Sequence, residues 1–280
     1  MIPTGAARLA GVIGWPVAHS RSPRLHGYWL DHYRIDGAYV PLAVRPSRIA
    51  QAIAALPALG FAGANVTVPH KEAALAAVDE ADALSTRIGA VNTIAVRESS
   101  LFGTNTDAFG FIQNLDDGAP GWPRQRPAVV LGAGGSARAV VVALADAGVP
   151  RIVVCNRTRA RAEALAEALV GPVEVVDWDA RAAALDGAGL LANTTTLGMA
   201  GAEPLAIELD ALPGDAVVAD LVYVPLTTPL LARAAARGLG TVDGLGMLLH
   251  QARPGFRMWF GRDPEVTPAL RDFVLEDLGA

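Results

Sequence analysis

Lys71, closing "NVTVPHK", and Asp107, inside "GTNTDAFG", are the residues of this chain best suited to exchange a proton with a ligand. A positioned amine and a positioned carboxylate can take or give a proton when their neighbours tune them. An alternating stretch, with Val66 and Val68 on one face and Asn65 and Thr67 on the other, runs into Pro69, and "HKEAALAAV" then reads as a helix. Lys71 is therefore expected in a first helical turn. There the dipole disfavours a cation by roughly 0.3 to 1 kcal/mol. A neighbouring Asp107 carboxylate would favour it, so the two influences oppose and the proton is assigned to the pair.

Other polar residues gather at the ends of apolar runs, in "HSRSP", "AVNT" and "GTNTD". In open parallel sheets the ligand crevice lies at the carboxyl ends of strands, so these segments and "NVTVPHK" can converge on a polar, hydroxylated ligand. Each also has a purely structural reading. Ser22 before Pro23 and Asp107 before "AFGFIQNL" both suit helix N-caps, and Asn92 suits a turn.

A second chemistry lies in "VVLGAGGSARA", where Gly132, Gly134 and Ala137 have the G-x-G-x-x-[GA] spacing between an apolar strand and a helix. Gly132 permits the tight turn, Gly134 lets backbone approach a pyrophosphate, and the helix start offers N–H donors to the anion. About 20 residues on, where an NAD site would carry an acid, the chain has "NRTRAR". The guanidinium forks of Arg157, Arg159 and Arg161 suit a 2′-phosphate, which points to NADP. For Arg159, pairing with Glu163 or Glu167 competes with that role. His19, His26, His32, His70 and His250 lack metal-site spacing and cysteine partners, so no metal is expected.

Positioning these groups requires two successive β-α series. The first runs through "RLAGVIGW", "AYVPLAV" and "GANVTVP", and the second through "PAVVLGAGG", "RIVVCNRT", "VEVVDWD", "LLANTTT" and "AVVADLVYV". The fold class is α/β in two domains: an N-terminal substrate domain with a mainly parallel sheet, and a Rossmann domain for the dinucleotide. The proline- and glycine-rich "DDGAPGWPRQRP" marks the break, which can fall a few residues earlier, near Asp107. The expected bounds are residues 1–108 for the first domain and 109–243 for the second, with helices in 244–280 packing back on the first. Trp15, Trp29 and Trp259 are expected in cores or at an interface.

The totals limit the partners. A net charge of −5 over 280 residues, without a long basic run, argues against nucleic acid. No apolar stretch reaches the ~20 residues of a membrane span. One cysteine and an N-terminus unlike a signal peptide suit a reducing, cytoplasmic setting.

The ordered segments "HSRSPRLH", "GANVTVPHK", "GAVNT", "GTNTDAFG", "VVLGAGGSARA", "NRTRARAEAL", "NTTTLGM", "DLVYVPLTTPLL" and "DGLGMLLHQA" cover nearly the whole chain, and in them it resembles the shikimate dehydrogenase family. The resemblance implies reversible NADP-dependent oxidation of shikimate to 3-dehydroshikimate, a step of chorismate and aromatic amino-acid biosynthesis, in a cleft between two α/β domains. It places Ser20 and Ser22 on the substrate carboxylate, with Tyr223 near that end, and Thr67, Asn92, Asp107 and Gln251 on the ring hydroxyls. Lys71 and Asp107 become the catalytic pair. Gly132, Ala133, Gly134, Gly135 and Ser136 are implied for the pyrophosphate, and Asn156, Arg157, Thr158 and Arg161 for the adenosine phosphate. Leu221 and Gly244 fall on the nicotinamide side. Arg21, between the two serines, departs from the family's leucine or lysine and either adds charge near the carboxylate or faces solvent. Arg159 makes the phosphate end more basic than usual. The expected assembly is a monomer or homodimer.

A quinate or quinate/shikimate dehydrogenase is the nearest alternative. Such relatives often carry threonine at the second serine and an acid near the second strand's end, whereas this chain has Ser22 and Thr158. A non-catalytic NADP-binding sensor would need the glycine loop but neither Lys71 nor Asp107.

Overall fold

The structure, a computed structural model, describes residues 2–169 and 171–276. The end of the helical run expected through residue 280 lies outside the described residues. The chain forms two compact units, one of residues up to Thr106 together with those from Gln251 on, the other of Asp107–His250.

The first unit is built on strands β1 (Arg8–Gly14), β2 (Gly37–Ala43), β3 (Phe61–Val66), β4 (Glu80–Ala81), β5 (Thr93–Arg97) and β6 (Ser100–Thr104), in the order β2-β1-β3-β5-β6-β4. Its parallel part is β2-β1-β3; β5 runs antiparallel to both β3 and β6. The hairpin between β5 and β6 departs from the expected strand–helix alternation. Its two-residue turn, Glu98 and Ser99, has φ of 54° and 108°. Positive φ at both positions matches the right-handed twist of the flanking strands, and glycine or asparagine usually supplies it. Here the turn forms without either, which removes its usual sequence signal.

Ile13, Ile53, Val66, Ile94 and Leu101 pack one core of this unit. A separate aromatic group joins Trp29, Phe256 and Trp259 with His26 and Tyr39. Trp259 lies on the helix Gly244–Phe260, and its indole N–H donates to the Ile94 carbonyl at 2.8 Å. This close approach requires Gly63, with φ of 153°, because a Cβ there would run into both partners. The helix Pro268–Leu275 packs on Ser22–His32, where Arg24 Nε donates to the Phe273 carbonyl at 2.8 Å. Trp15, by contrast, is 40% exposed, with Arg45 over its ring.

The second unit holds β7 (Ala128–Leu131), β8 (Ile152–Asn156), β9 (Val173–Asp177), β10 (Leu190–Asn193), β11 (Val217–Asp220) and β12 (Gly240–Val242). All pair in parallel, in the order β9-β8-β7-β10-β11-β12. That is the 3-2-1-4-5-6 order of doubly wound dinucleotide-binding sheets, with the topological switch between β7 and β10. The central strands β7, β10 and β11 are buried along their length, as is β8 up to its last residue, and they read as largely apolar runs, as a sheet covered on both faces requires. Among the described residues no helix is long and apolar enough to cross a membrane.

Candidate active site

In the first unit, backbone hydrogen bonds draw three of the four polar segments together. Val66 N donates to the Asn92 carbonyl at 2.7 Å, Val91 N to the Lys71 carbonyl at 2.9 Å, and Asn92 N to the Thr104 carbonyl at 3.1 Å. Lys71 opens the helix Lys71–Leu75 behind N-cap His70, whose Nε2 lies 2.7 Å from the Val44 carbonyl. Thr67 continues beyond β3, its N–H donating to Ile13 at 2.9 Å and its methyl lying against Gly14. The expected alternation stops here. Val66 is buried, but Val68 is 66% exposed because the chain has left the sheet before Pro69.

Ser22 is the first residue of its helix, and the N-cap is Arg21, which makes no side-chain cap. The N-cap reading of Ser22 therefore fails. Its buried side chain instead bonds with Tyr39, and its N–H lies 3.4 Å from the half-buried Ser20 hydroxyl. Arg21 is half-buried with Nε shielded from water, so it does not simply face solvent. Tyr39 donates to Asn65 Oδ1 at 2.6 Å, and Asn65 Nδ2 reaches the Asn92 carbonyl at 3.2 Å and Thr93 Oγ1 at 3.1 Å. Thr93 in turn donates to Asn92 Oδ1 at 2.9 Å. Gln251 joins from the C-terminal segment, its Oε1 3.4 Å from the Thr106 hydroxyl. Ser22, Asn92 and Gln251 are thus linked side chain to side chain. Burial lifts the Tyr39 phenol well above its usual range, against the opposing Ser22 bond.

Asp107 is the first residue of the helix Asp107–Gly118 in the second unit and is almost wholly buried. A carboxylate in a first helical turn is favoured by the dipole.

At the carboxyl end of β7, Gly132 has φ of 113° and donates to the Cys155 carbonyl at 2.8 Å. A side chain there would strike the Thr194 hydroxyl, which donates to Leu131 at 2.6 Å. Gly134 caps the helix Gly135–Asp146 with extended backbone and no side-chain cap, and a Cβ on it would meet nothing within 4 Å. Ala133, Gly135 and Ser136 are partly exposed around this turn, so the helix start is open to an anion. Beyond β8, Asn156 Nδ2 closes the next turn onto the Thr158 carbonyl at 2.8 Å, with Arg157, Thr158 and Arg161 exposed. Arg159 is held by Glu163 at 2.7 Å and Asp177 at 2.6 Å, so its charge is compensated and does not add to the basic end.

Beyond β11 the chain turns at Leu221, whose N–H donates to Asn193 at 2.9 Å, and Gly244 lies so close that a Cβ would strike the Leu221 carbonyl. Half-buried Tyr223 follows. Residue-by-residue reading of the sequence missed Asp220, which accepts from Asn193 at 2.9 Å, Val222 N at 3.0 Å and Thr228 at 2.7 Å. Burial raises its carboxyl to about 6 against these three bonds. It also missed Tyr39, Asn65, Thr93, Thr106 and Thr194. The available signal was position, since Asp220 and Thr194 stand at or just after the ends of strands beside the topological switch.

Comparison with known proteins fits this geometry. Residues 12–94 match the shikimate dehydrogenase substrate binding domain, 122–196 the shikimate/quinate 5-dehydrogenase family, and 244–271 the shikimate 5′-dehydrogenase C-terminal domain. The NADP(+) shikimate dehydrogenase of Paramagnetospirillum magneticum is 63% identical, over 97% of this chain and 99% of its own. That of Rhodospirillum rubrum is 59% identical, over 97% and 98%. A shikimate dehydrogenase crystallised with NADP+ superposes with a TM-score of 0.92 at 33% identity, over 99% of this chain and 98% of its own. Quinate dehydrogenase from Corynebacterium glutamicum, in complex with NAD, gives 0.89 at 32% identity, over 96% and 99%. The chain belongs to the shikimate/quinate dehydrogenase family.

Proposed function

We propose that this chain interconverts shikimate and 3-dehydroshikimate with NADP, on the path to chorismate and the aromatic amino acids, using Lys71 and Asp107 to move the proton. The observation that carries the reading is 63% identity, over almost the full length of both chains, to an NADP(+) shikimate dehydrogenase. Retention of Lys71 and Asp107 supports an enzyme over a sensor.

The cofactor reading rests on fit. The open backbone at Gly134 and the uncapped helix start suit a pyrophosphate. Exposed Arg157 and Arg161 suit a 2′-phosphate. Leu221 and Gly244, already against each other, flank the nicotinamide side. NADP, when bound, accepts the hydride from the ring carbon or returns it.

Ser20 and Ser22 hold the substrate carboxylate, with Tyr223 at the same end. Thr67, Asn92, Asp107 and Gln251 orient the ring hydroxyls. As hydride leaves the carbinol carbon, its hydroxyl proton passes to the Lys71–Asp107 pair, and in reverse the pair returns it to the ketone oxygen. Holding both groups fixed converts proton transfer into a positioned, intramolecular step.

The test is NADPH or NADH formation by purified protein, with shikimate and quinate each paired with NADP and NAD. Turnover confined to shikimate and NADP is expected. Equal turnover with quinate or NAD would overturn the specificity, and silence with all four pairs would favour the sensor.

A further inference from the structure

Arg159 has no local reason to stand where it does. It is the first residue of the helix Arg159–Ala168, where the dipole disfavours a cation, and the first turn holds no acid to offset it. Its Nε donates to Glu163 Oε1 at 2.7 Å, in the less favourable helical order of cation before anion. Its Nη1 donates to Asp177 Oδ1 at 2.6 Å. All three side chains are about half exposed or more, a setting in which ion pairs add little to stability. The place of Asp177 supplies a different reason. It ends β9, and in the parallel register its partner is Asn156, the last residue of β8. A site for NAD carries an acid at the end of that second strand, to hold the ribose hydroxyl. Asp177 brings a carboxylate to the same edge one strand over, where it repels a nearly dianionic 2′-phosphate. Arg157 and Arg161, by contrast, are exposed and make no ion pair among the described residues.

We propose that Arg159 is a specificity-determining residue that shields the 2′-phosphate of NADP from Asp177 and Glu163 rather than binding it. This rests on the proposed NADP reading of the turn at 156–161. The three arginines then divide the work. Arg157 and Arg161 offer their forks to the phosphate, while Arg159 neutralises the carboxylates beside it. Without Arg159 those carboxylates face the ligand bare, and the site loses its preference for a phosphate over a hydroxyl.

The experiment is calorimetric titration at low ionic strength with two probes, adenosine 2′,5′-bisphosphate, which carries the 2′-phosphate, and AMP, which lacks it. The proteins are wild type, Arg159→Met, and Arg159→Met combined with Asp177→Asn and Glu163→Gln. Methionine keeps an unbranched stem and removes the charge. Expected for Arg159→Met is a dissociation constant for the bisphosphate raised roughly 3- to 10-fold, with that for AMP changed by under about 2-fold. In the triple variant the bisphosphate is expected to bind within about 2-fold of wild type or tighter, because no carboxylate is left to shield. The kcat/KM preference for NADP over NAD follows the same order, with the KM for shikimate unmoved. A wild type that favours the bisphosphate beside an Arg159→Met variant that loses nothing would overturn the inference. So would a loss that the triple variant keeps, since hydrogen bonds lost from a direct phosphate ligand are not returned by removing carboxylates. A wild type that binds both probes equally would overturn the NADP reading, and this one with it.

Discussion

Lys71 stands at the first position of a five-residue helix whose N-cap, His70, supplies no side-chain bond to the helix start. Its carbonyl accepts from the Val91 N–H, which ties its backbone to the segment that leads through Asn92 into β5. Lys71→Ala is expected to lower kcat by roughly 10²-fold or more while changing the KM for shikimate by only a few-fold, as loss of a general acid–base group does. Near-native turnover of the purified variant would reduce Lys71 to a helix-start residue. At this scale the sequence was readable where a residue's type is itself the chemistry, as for Lys71, Asp107 and the glycines of "GAGGSA". Tyr39, Thr93 and Thr106 stayed hidden because their side-chain partners are set by tertiary folding, which leaves no local pattern. Arg159 shows the converse. Its type suggested a phosphate, yet Asp177, 18 residues away at the end of the next strand, takes one arm of its guanidinium.

Elements decide how closely the groups can approach, and Gly63 in β3 is one of the tightest such places. Its φ of 153° and the contact of any Cβ with both the Ile94 carbonyl and the Trp259 indole mean that alanine would strain the backbone and part a buried hydrogen bond. Gly63→Ala is expected to cost roughly 2 kcal/mol or more of unfolding free energy. Gly148→Ala is the control, with φ of 82° and nothing within 4 Å of an added Cβ, so only the backbone term applies, about 1 kcal/mol. Equal shifts of the denaturation midpoint in the two variants would show that the Trp259 contact carries no strain. Helices and parallel strands were legible because their periods repeat over several residues. The β5–β6 hairpin was not, since Glu98 and Ser99 adopt turn geometry that other residues favour, and the antiparallel pairing follows from that turn alone. The end of β3 was misjudged for a related reason. Apolar alternation continued through Val68 after the chain had left the sheet.

For the molecule as a whole, the second strand series could be read from the sequence, because a doubly wound sheet demands apolar strands and a glycine turn at its switch. What composition cannot reveal is how burial redistributes charge, and that governs stability against pH. Two almost fully buried groups pull in opposite directions. His26, stacked on Tyr39 at 3.9 Å, is lowered from 6.5 to about 3 by burial, with the Asn65 side chain opposing. The unfolded chain therefore binds a proton at His26 that the folded chain refuses, so this stability is present above about pH 6.5 and lost as pH falls toward 3. Asp220 is raised from 3.8 to about 6 by burial, so the folded chain holds a proton the unfolded one has released; that stability is present below 3.8 and lost as pH rises through 6. The histidine shift is the larger, so acid is expected to destabilise the protein on balance, with Asp220 blunting the fall. Asp220→Asn, which keeps an acceptor for Asn193 and Val222, is expected to steepen the loss of Tm between about pH 6 and pH 4. His26→Phe, which keeps a ring over Tyr39, is expected to flatten it. Calorimetric scans of both variants across that range check the signs, and an unchanged acid slope in His26→Phe would show that the buried imidazole does not control it.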